Sequence, residues 1–148
     1  MHKFQKGMGR ILAMDYGEKR TGIAVTDDLK LIASGLTTVP TKELLDFLEN
    51  YLKKENVELF LIGEPKKMDA TASESERFIG PFLEKLRSRF PKVPLARVDE
   101  RFTSKMAVQS MIEGGLKKKK RQNKALIDEI SATLILQSYL YSKKDGCQ

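Results

Sequence analysis

The chain has 148 residues, long enough for one domain that buries a sizeable core without a disulfide or a structural metal. Hydrophobic residues make up 41% and charged residues 32%, a globular mix that excludes a disordered or collagen-like chain. The formal charge of +7 favours polyanionic partners, although a basic balance alone does not establish one.

The lone cysteine, Cys147, cannot build a disulfide framework, and a reducing compartment fits it. Met1 to Gly7 lacks the apolar core of a secretory signal, and no apolar run approaches the ~20 residues that span a bilayer. The expected location is the cytoplasm, with no membrane contact. One domain is expected over 1–148, with its core at about 10–142 between short flexible ends.

In chain order, Arg10 to Asp15 is an apolar strand ending on an acid, and Tyr16 to Thr21 reads as a turn. Gly22 to Thr26 is a second strand and Leu31 to Val39 a third, with connections short enough for antiparallel hairpins. After Pro40, Thr41 is a candidate N-cap for a helix through about Asn56, where Leu44, Leu45, Leu48, Tyr51 and Leu52 form a helical stripe. Val57 to Ile62 reads as a strand buried on both faces. A polar loop leads to Ser73-Glu74-Ser75-Glu76, a capping-box pattern opening a helix that ends before Pro91. Pro94 to Val98 is a further strand, Thr103 to Glu113 a helix, and about Ala125 to Ser142 a last helix, apolar nearly all round. The order β-β-β-α-β-α-β-α-α predicts an α/β fold: a mixed five-stranded sheet flanked by helices, with parallel pairing in its second half.

Chemistry-bearing residues gather at the ends of these elements. Asp15 closes a strand just before Gly17, a place where a carboxylate can hold a hard cation, or simply cap a turn. Asp99 and Glu100 follow another strand. Neighbouring residues of an extended chain point to opposite faces, so one of the two can share a site with Asp15. Asp128 shares a helix face with Ala132 and Ile135, where a carboxylate is costly unless paired or metal-bound; its alternative is N-cap duty near the helix start, where negative charge is favoured. The basic run Lys117-Lys118-Lys119-Lys120-Arg121 stands just ahead of that helix, able either to hold a phosphate backbone or to be plain solvated charge.

His2 is the single histidine, so a Ser-His or Cys-His triad is not expected, and no zinc motif is present. Paired carboxylates can instead bind hard cations that activate water and stabilise a leaving oxygen, as phosphodiester hydrolysis requires.

These segments resemble the YqgF/RuvX family, pre-16S rRNA nucleases also described as Holliday junction resolvase-like. The resemblance runs from about Arg10 to Tyr141. It rests on Met14 to Asp27, Ile62-Gly63-Glu64-Pro65 with Met68-Asp69, Val98 to Ala107, and Ile127 to Ala132. It implies an RNase H-like fold and a metal-binding, catalytic set of Asp15, Glu100 and Asp128 served by Mg²⁺ or Mn²⁺. Arg20, Arg101 and Thr103 would position the site or its phosphate, with Lys117, Lys118, Lys119, Lys120 and Arg121 as further substrate contacts. Two departures from the family pattern are Glu64, a possible additional acid, and Glu129 with Ser131 in place of small apolar residues.

The expected substrate is structured RNA at the 5′ end of the small-subunit rRNA precursor, with a four-way DNA junction as the alternative. A non-catalytic RNA-binding module and an ATP-dependent phosphotransferase are the other classes. The second would need two such domains around its nucleotide. The sequence leaves the oligomeric state open.

Overall fold

A computed structural model describes residues 9–64, 76–99 and 124–146. Strands β1 (Arg10–Asp15), β2 (Arg20–Thr26) and β3 (Ala33–Pro40) are followed by a 3₁₀ turn (Thr41–Glu43) and helix α1 (Leu44–Lys54). Then come β4 (Val57–Glu64), α2 (Glu76–Arg89), β5 (Leu95–Asp99) and a long C-terminal helix, α3 (Lys124–Gly146).

The five strands form one sheet in the order β3-β2-β1-β4-β5. β1 to β3 make the two expected antiparallel pairs, and β1–β4 and β4–β5 are parallel. The C-terminal ends of β1, β4 and β5 therefore meet the start of β2 along one edge. The mixed sheet is the one the element order predicts. The expected helix over 103–113 lies outside the described residues.

Alternation along the strands divides the core in two. Leu12, Met14, Ile23, Val25, Phe60 and Ile62 pack with Leu44 and Leu48 of α1 and with Ile79, Phe82 and Leu86 of α2. Ile11, Ala13, Ala24 and Leu61 turn the other way, against Ala132, Ile135 and Leu136 of α3. The side facing α1 and α2 is built from large residues. The side facing α3 mixes Ile11 and Leu61 with the small residues Ala13, Gly22 and Ala24, and the small ones let that helix approach β2 closely.

Several expected boundaries shift by one or two residues, and two of the shifts have a clear cause. Thr41 does not cap a helix: the 3₁₀ turn intervenes, and neither it nor α1 has a side-chain cap hydrogen bond. The Thr41 hydroxyl donates instead to the Gly17 carbonyl at 2.6 Å and lies 2.9 Å from the Thr21 hydroxyl. The third strand starts at Ala33 rather than Leu31, because Leu31 belongs to the β2–β3 turn. There the Asp27 carboxylate accepts the N–H groups of Leu31 and Ile32 at 2.8 and 2.9 Å, and Lys30 takes a left-handed φ of 61°. No described helix is long and apolar enough to cross a membrane.

Candidate functional site

Asp15 ends β1 in the middle of the sheet, and pleat alternation after Ile11 and Ala13 puts it on the face that α3 covers. Its partner across the ladder is Gly22 of β2. A Cβ on Gly22 would collide with the Asp128 carbonyl oxygen and the Glu129 nitrogen of α3. Glycine at this position lets the helix backbone rest directly on the sheet. Asp15 and Asp128, far apart in sequence, thus converge through the residue between them.

The Asp128 side chain is held in turn by Arg20, the first residue of β2. Arg20 Nε donates to Asp128 Oδ2 at 2.6 Å, a short charge-assisted contact with both side chains partly shielded from solvent. By the alternation that faces Gly22 and Ala24 toward α3, Arg20 rises from the same side of the sheet. Asp128 lies beyond the first turn of α3 and is an ion-pair partner, not an N-cap.

The turn linking Asp15 to Arg20 is drawn tight. A Cβ on Gly17 would stand 2.5 Å from the Arg20 carbonyl oxygen, and Thr41 N–H donates to the Lys19 carbonyl at 3.0 Å. With the hydroxyl bridge to Gly17 and Thr21, Thr41 ties the far end of β3 to this turn. Tyr16 leaves on the opposite face and stacks on Phe82 of α2 with ring centroids 4.5 Å apart. Burial, and secondarily Glu18, push its phenol above the ordinary range, so it stays protonated.

Glu64 and Asp99 pair in register at the ends of β4 and β5. Alternation carries Glu64 with Phe60 and Ile62, and Asp99 with Leu95, onto the face away from Asp15. Arg97, between them in the pattern, donates to the carbonyls of Ile62 at 3.3 Å and Gly63 at 3.0 Å. This arrangement brings neither acid to the side where Asp15 and Asp128 meet.

Glu100, Arg101, Thr103 and the run Lys117, Lys118, Lys119, Lys120 and Arg121 lie outside the described residues. Among those described, no three of His, Cys, Asp and Glu gather as a metal cage. The pair of carboxylates still suits a hard cation. Magnesium is commonly held by one or two carboxylates, with waters and substrate phosphates completing the shell.

Three positioning residues escaped the sequence reading: Gly22, Gly35 and Thr41. The signal for the glycines is the alternation in Gly22-Ile23-Ala24-Val25, small residues on one face and large on the other. Gly35 of β3 plays a matching part, since a Cβ there would stand 2.5 Å from the Glu129 carboxylate. Glu129, which with Ser131 forms the second departure, thus lies along β3. Ser131 is buried, and among the described residues its hydroxyl finds no hydrogen-bond partner.

Known proteins give a consistent likeness. Residues 9–142 match the family model described as RuvX, Holliday junction resolvase. A relative from Christiangramia forsetii is 69% identical over 134 residues, covering 90% of this chain and 99% of its own length. One from Phocaeicola vulgatus is 63% identical over 137 residues, with 93% and 99% covered. Both carry the provisional name pre-16S rRNA nuclease. Among solved structures, T. thermophilus RuvC in complex with a Holliday junction superposes with a TM-score of 0.51 at 18% identity, covering 92% of this chain and 96% of that one. At that identity the likeness speaks for a shared RNase H-like fold.

Proposed function

The chain belongs to the RuvX family and is on that basis a nuclease, and we propose that it is a metal-dependent endonuclease that trims the 5′ end of the small-subunit rRNA precursor. The observation that supports this reading is the convergence of β1 and α3 on Gly22, with Asp15 beside it in the ladder and the Asp128 backbone resting on it from one face of the sheet.

In this reading Asp15 and Asp128 hold Mg²⁺ or Mn²⁺, with Glu100 as the third acid. The pleat supports choosing Glu100 over its neighbour, because Asp99 belongs to the other face. A bound divalent cation supplies Lewis-acid stabilisation of the phosphate and a more acidic water. The protein's own part is to fix the acids in place: Asp15 by a central strand, Asp128 by the seat of α3 on Gly22 and by Arg20. Arg101, Thr103, and Lys117 to Arg121 would carry the phosphates of the approaching strand and offset the repulsion of the acids.

The substrate reading rests on the names of the relatives. The family description and the RuvC-like fold favour a second reading, resolution of four-way DNA junctions by the same carboxylates. Cleavage of a labelled rRNA-precursor fragment and of a four-way junction, run in parallel with Mg²⁺ or Mn²⁺, separates the two. The expected result is cutting of the RNA, reduced about a hundredfold or more in Asp15→Asn and in Asp128→Asn. Loss of even an outer-shell partner of a metal costs about 10–100-fold. Cleavage that survives both substitutions would sink the carboxylate assignment. Cutting of the junction alone would transfer the reading to DNA.

A further inference from the structure

Arg20 differs from an ordinary phosphate-binding arginine in where its guanidinium is spent. It faces inward, at 2.6 Å from the carboxylate that the proposed function gives to a metal ion. It also springs from the same sheet face as Asp15 and sits two residues from Gly22, on which Asp128 rests. A guanidinium and a divalent cation placed around one carboxylate repel each other, and they compete for the same oxygens.

We propose that Arg20 is a positioning residue acting through Asp128: its charge keeps the resting protein's affinity for its divalent cation low, and a substrate phosphate draws it away from Asp128. This deepens, and rests on, the nuclease reading above.

The geometry allows the exchange. Arg20 keeps a 37% exposed side chain, so it is within reach of a ligand arriving at the sheet edge. Its guanidinium carries five N–H donors in a fork that matches phosphate, and the contact with Asp128 engages Nε. When a phosphate takes the guanidinium, the Asp128 carboxylate turns over to the cation. Asp128 and Arg20 would then each have a partner of opposite charge in both states: one another at rest, and in the complex the cation for Asp128 and the phosphate for Arg20. The expected behaviour is synergy, in which cation and nucleic acid each tighten the binding of the other.

The test is a Mn²⁺ titration without nucleic acid, read by electron paramagnetic resonance of the free ion, on wild type, Arg20→Gln and Arg20→Lys. Melting curves confirm that each is folded, and Arg20→Met replaces the glutamine variant should that one melt early. Arg20→Gln is expected to bind Mn²⁺ about tenfold more tightly, the scale of repulsion between one charge and two at ~5 Å in a water-like dielectric. It is also expected to cut RNA more slowly. Arg20→Lys, which keeps the charge and loses the fork, is expected to retain wild-type Mn²⁺ affinity while staying slow. Unchanged or weaker Mn²⁺ binding by Arg20→Gln, in a protein whose wild type binds Mn²⁺ and cuts, overturns this proposal and leaves the nuclease reading standing. A wild type that takes up no Mn²⁺ and also fails to cut RNA in its presence overturns both.

Discussion

Asp27 shows how one carboxylate can set a turn at the end of the sheet remote from Asp15. It accepts backbone N–H groups from Ile32 foremost, then Leu31 and Leu29, and these hold its carboxyl below the ordinary value of 3.8. Such a group stabilises the fold above its unfolded pKa, and that contribution is lost as pH falls through the lower folded value. Asp27→Ala is therefore expected to unfold at lower urea than wild type at neutral pH, with the gap closing as the pH is taken below 3.8. A gap that stays constant into acid would show that the charge on Asp27 does not matter. The turn also presents Leu29, Leu31 and Ile32 with more than three fifths of each exposed, and it keeps Leu31 and Ile32 out of the strand that the sequence pattern assigns to them. Alternating apolar residues resemble a strand until a side chain captures their backbone, and that capture depends on Asp27 rather than on the apolar residues themselves.

At the scale of elements, α3 is what covers the sheet face that carries Asp15. It lies over β1, β2 and β3 at the edge where Asp15 ends, with Thr38 donating to the Ala125 carbonyl at 2.6 Å near its first turn. Gly22→Ala is expected to lift this helix. Overpacking of a tight contact costs about 1–3 kcal/mol, and the obstructing atoms here are backbone, which cannot rotate aside. Urea unfolding measures the loss, and cleavage is expected to fall further than stability because Asp128 moves away from Asp15. A variant of normal activity would show that the seat is not needed. The strands and helices themselves were legible, since Leu12, Met14, Ile23 and Val25 alternate and Leu44 and Leu48 follow the helical period. Asp15 and Asp128 were legible as candidates for the same reason, as polar residues closing or interrupting apolar patterns. What joins them was not, because the Gly22 contact and the Arg20 pair link segments with no local pattern in common. Thr41 was misread because a threonine after proline looks the same whether its hydroxyl caps a helix or braces a turn across the chain.

For the whole molecule, a charge of +7 stands against acids concentrated at the ends of the strands. The proposed substrate must therefore be held by positive charge around an edge that repels it. Replacing Lys117, Lys118, Lys119, Lys120 and Arg121 with glutamine is expected to flatten the dependence of RNA affinity on salt. The slope of log affinity against log salt should fall by up to about four, at roughly 0.7–0.9 per phosphate contact. Filter-binding at several salt concentrations reads this directly, and an unchanged slope would leave the run as solvated charge. The fold also has a consequence in time. Arg20 and Asp128 are separated by 108 positions, so β2 leaves the ribosome well before the helix that completes its edge. At about 5–20 residues per second, that interval lasts on the order of five to twenty seconds. Throughout it the face of the sheet that carries Asp15 stands without the helix that covers it. On the proposed reading, that order of synthesis keeps a nuclease of rRNA harmless to its own birthplace until its last helix is made.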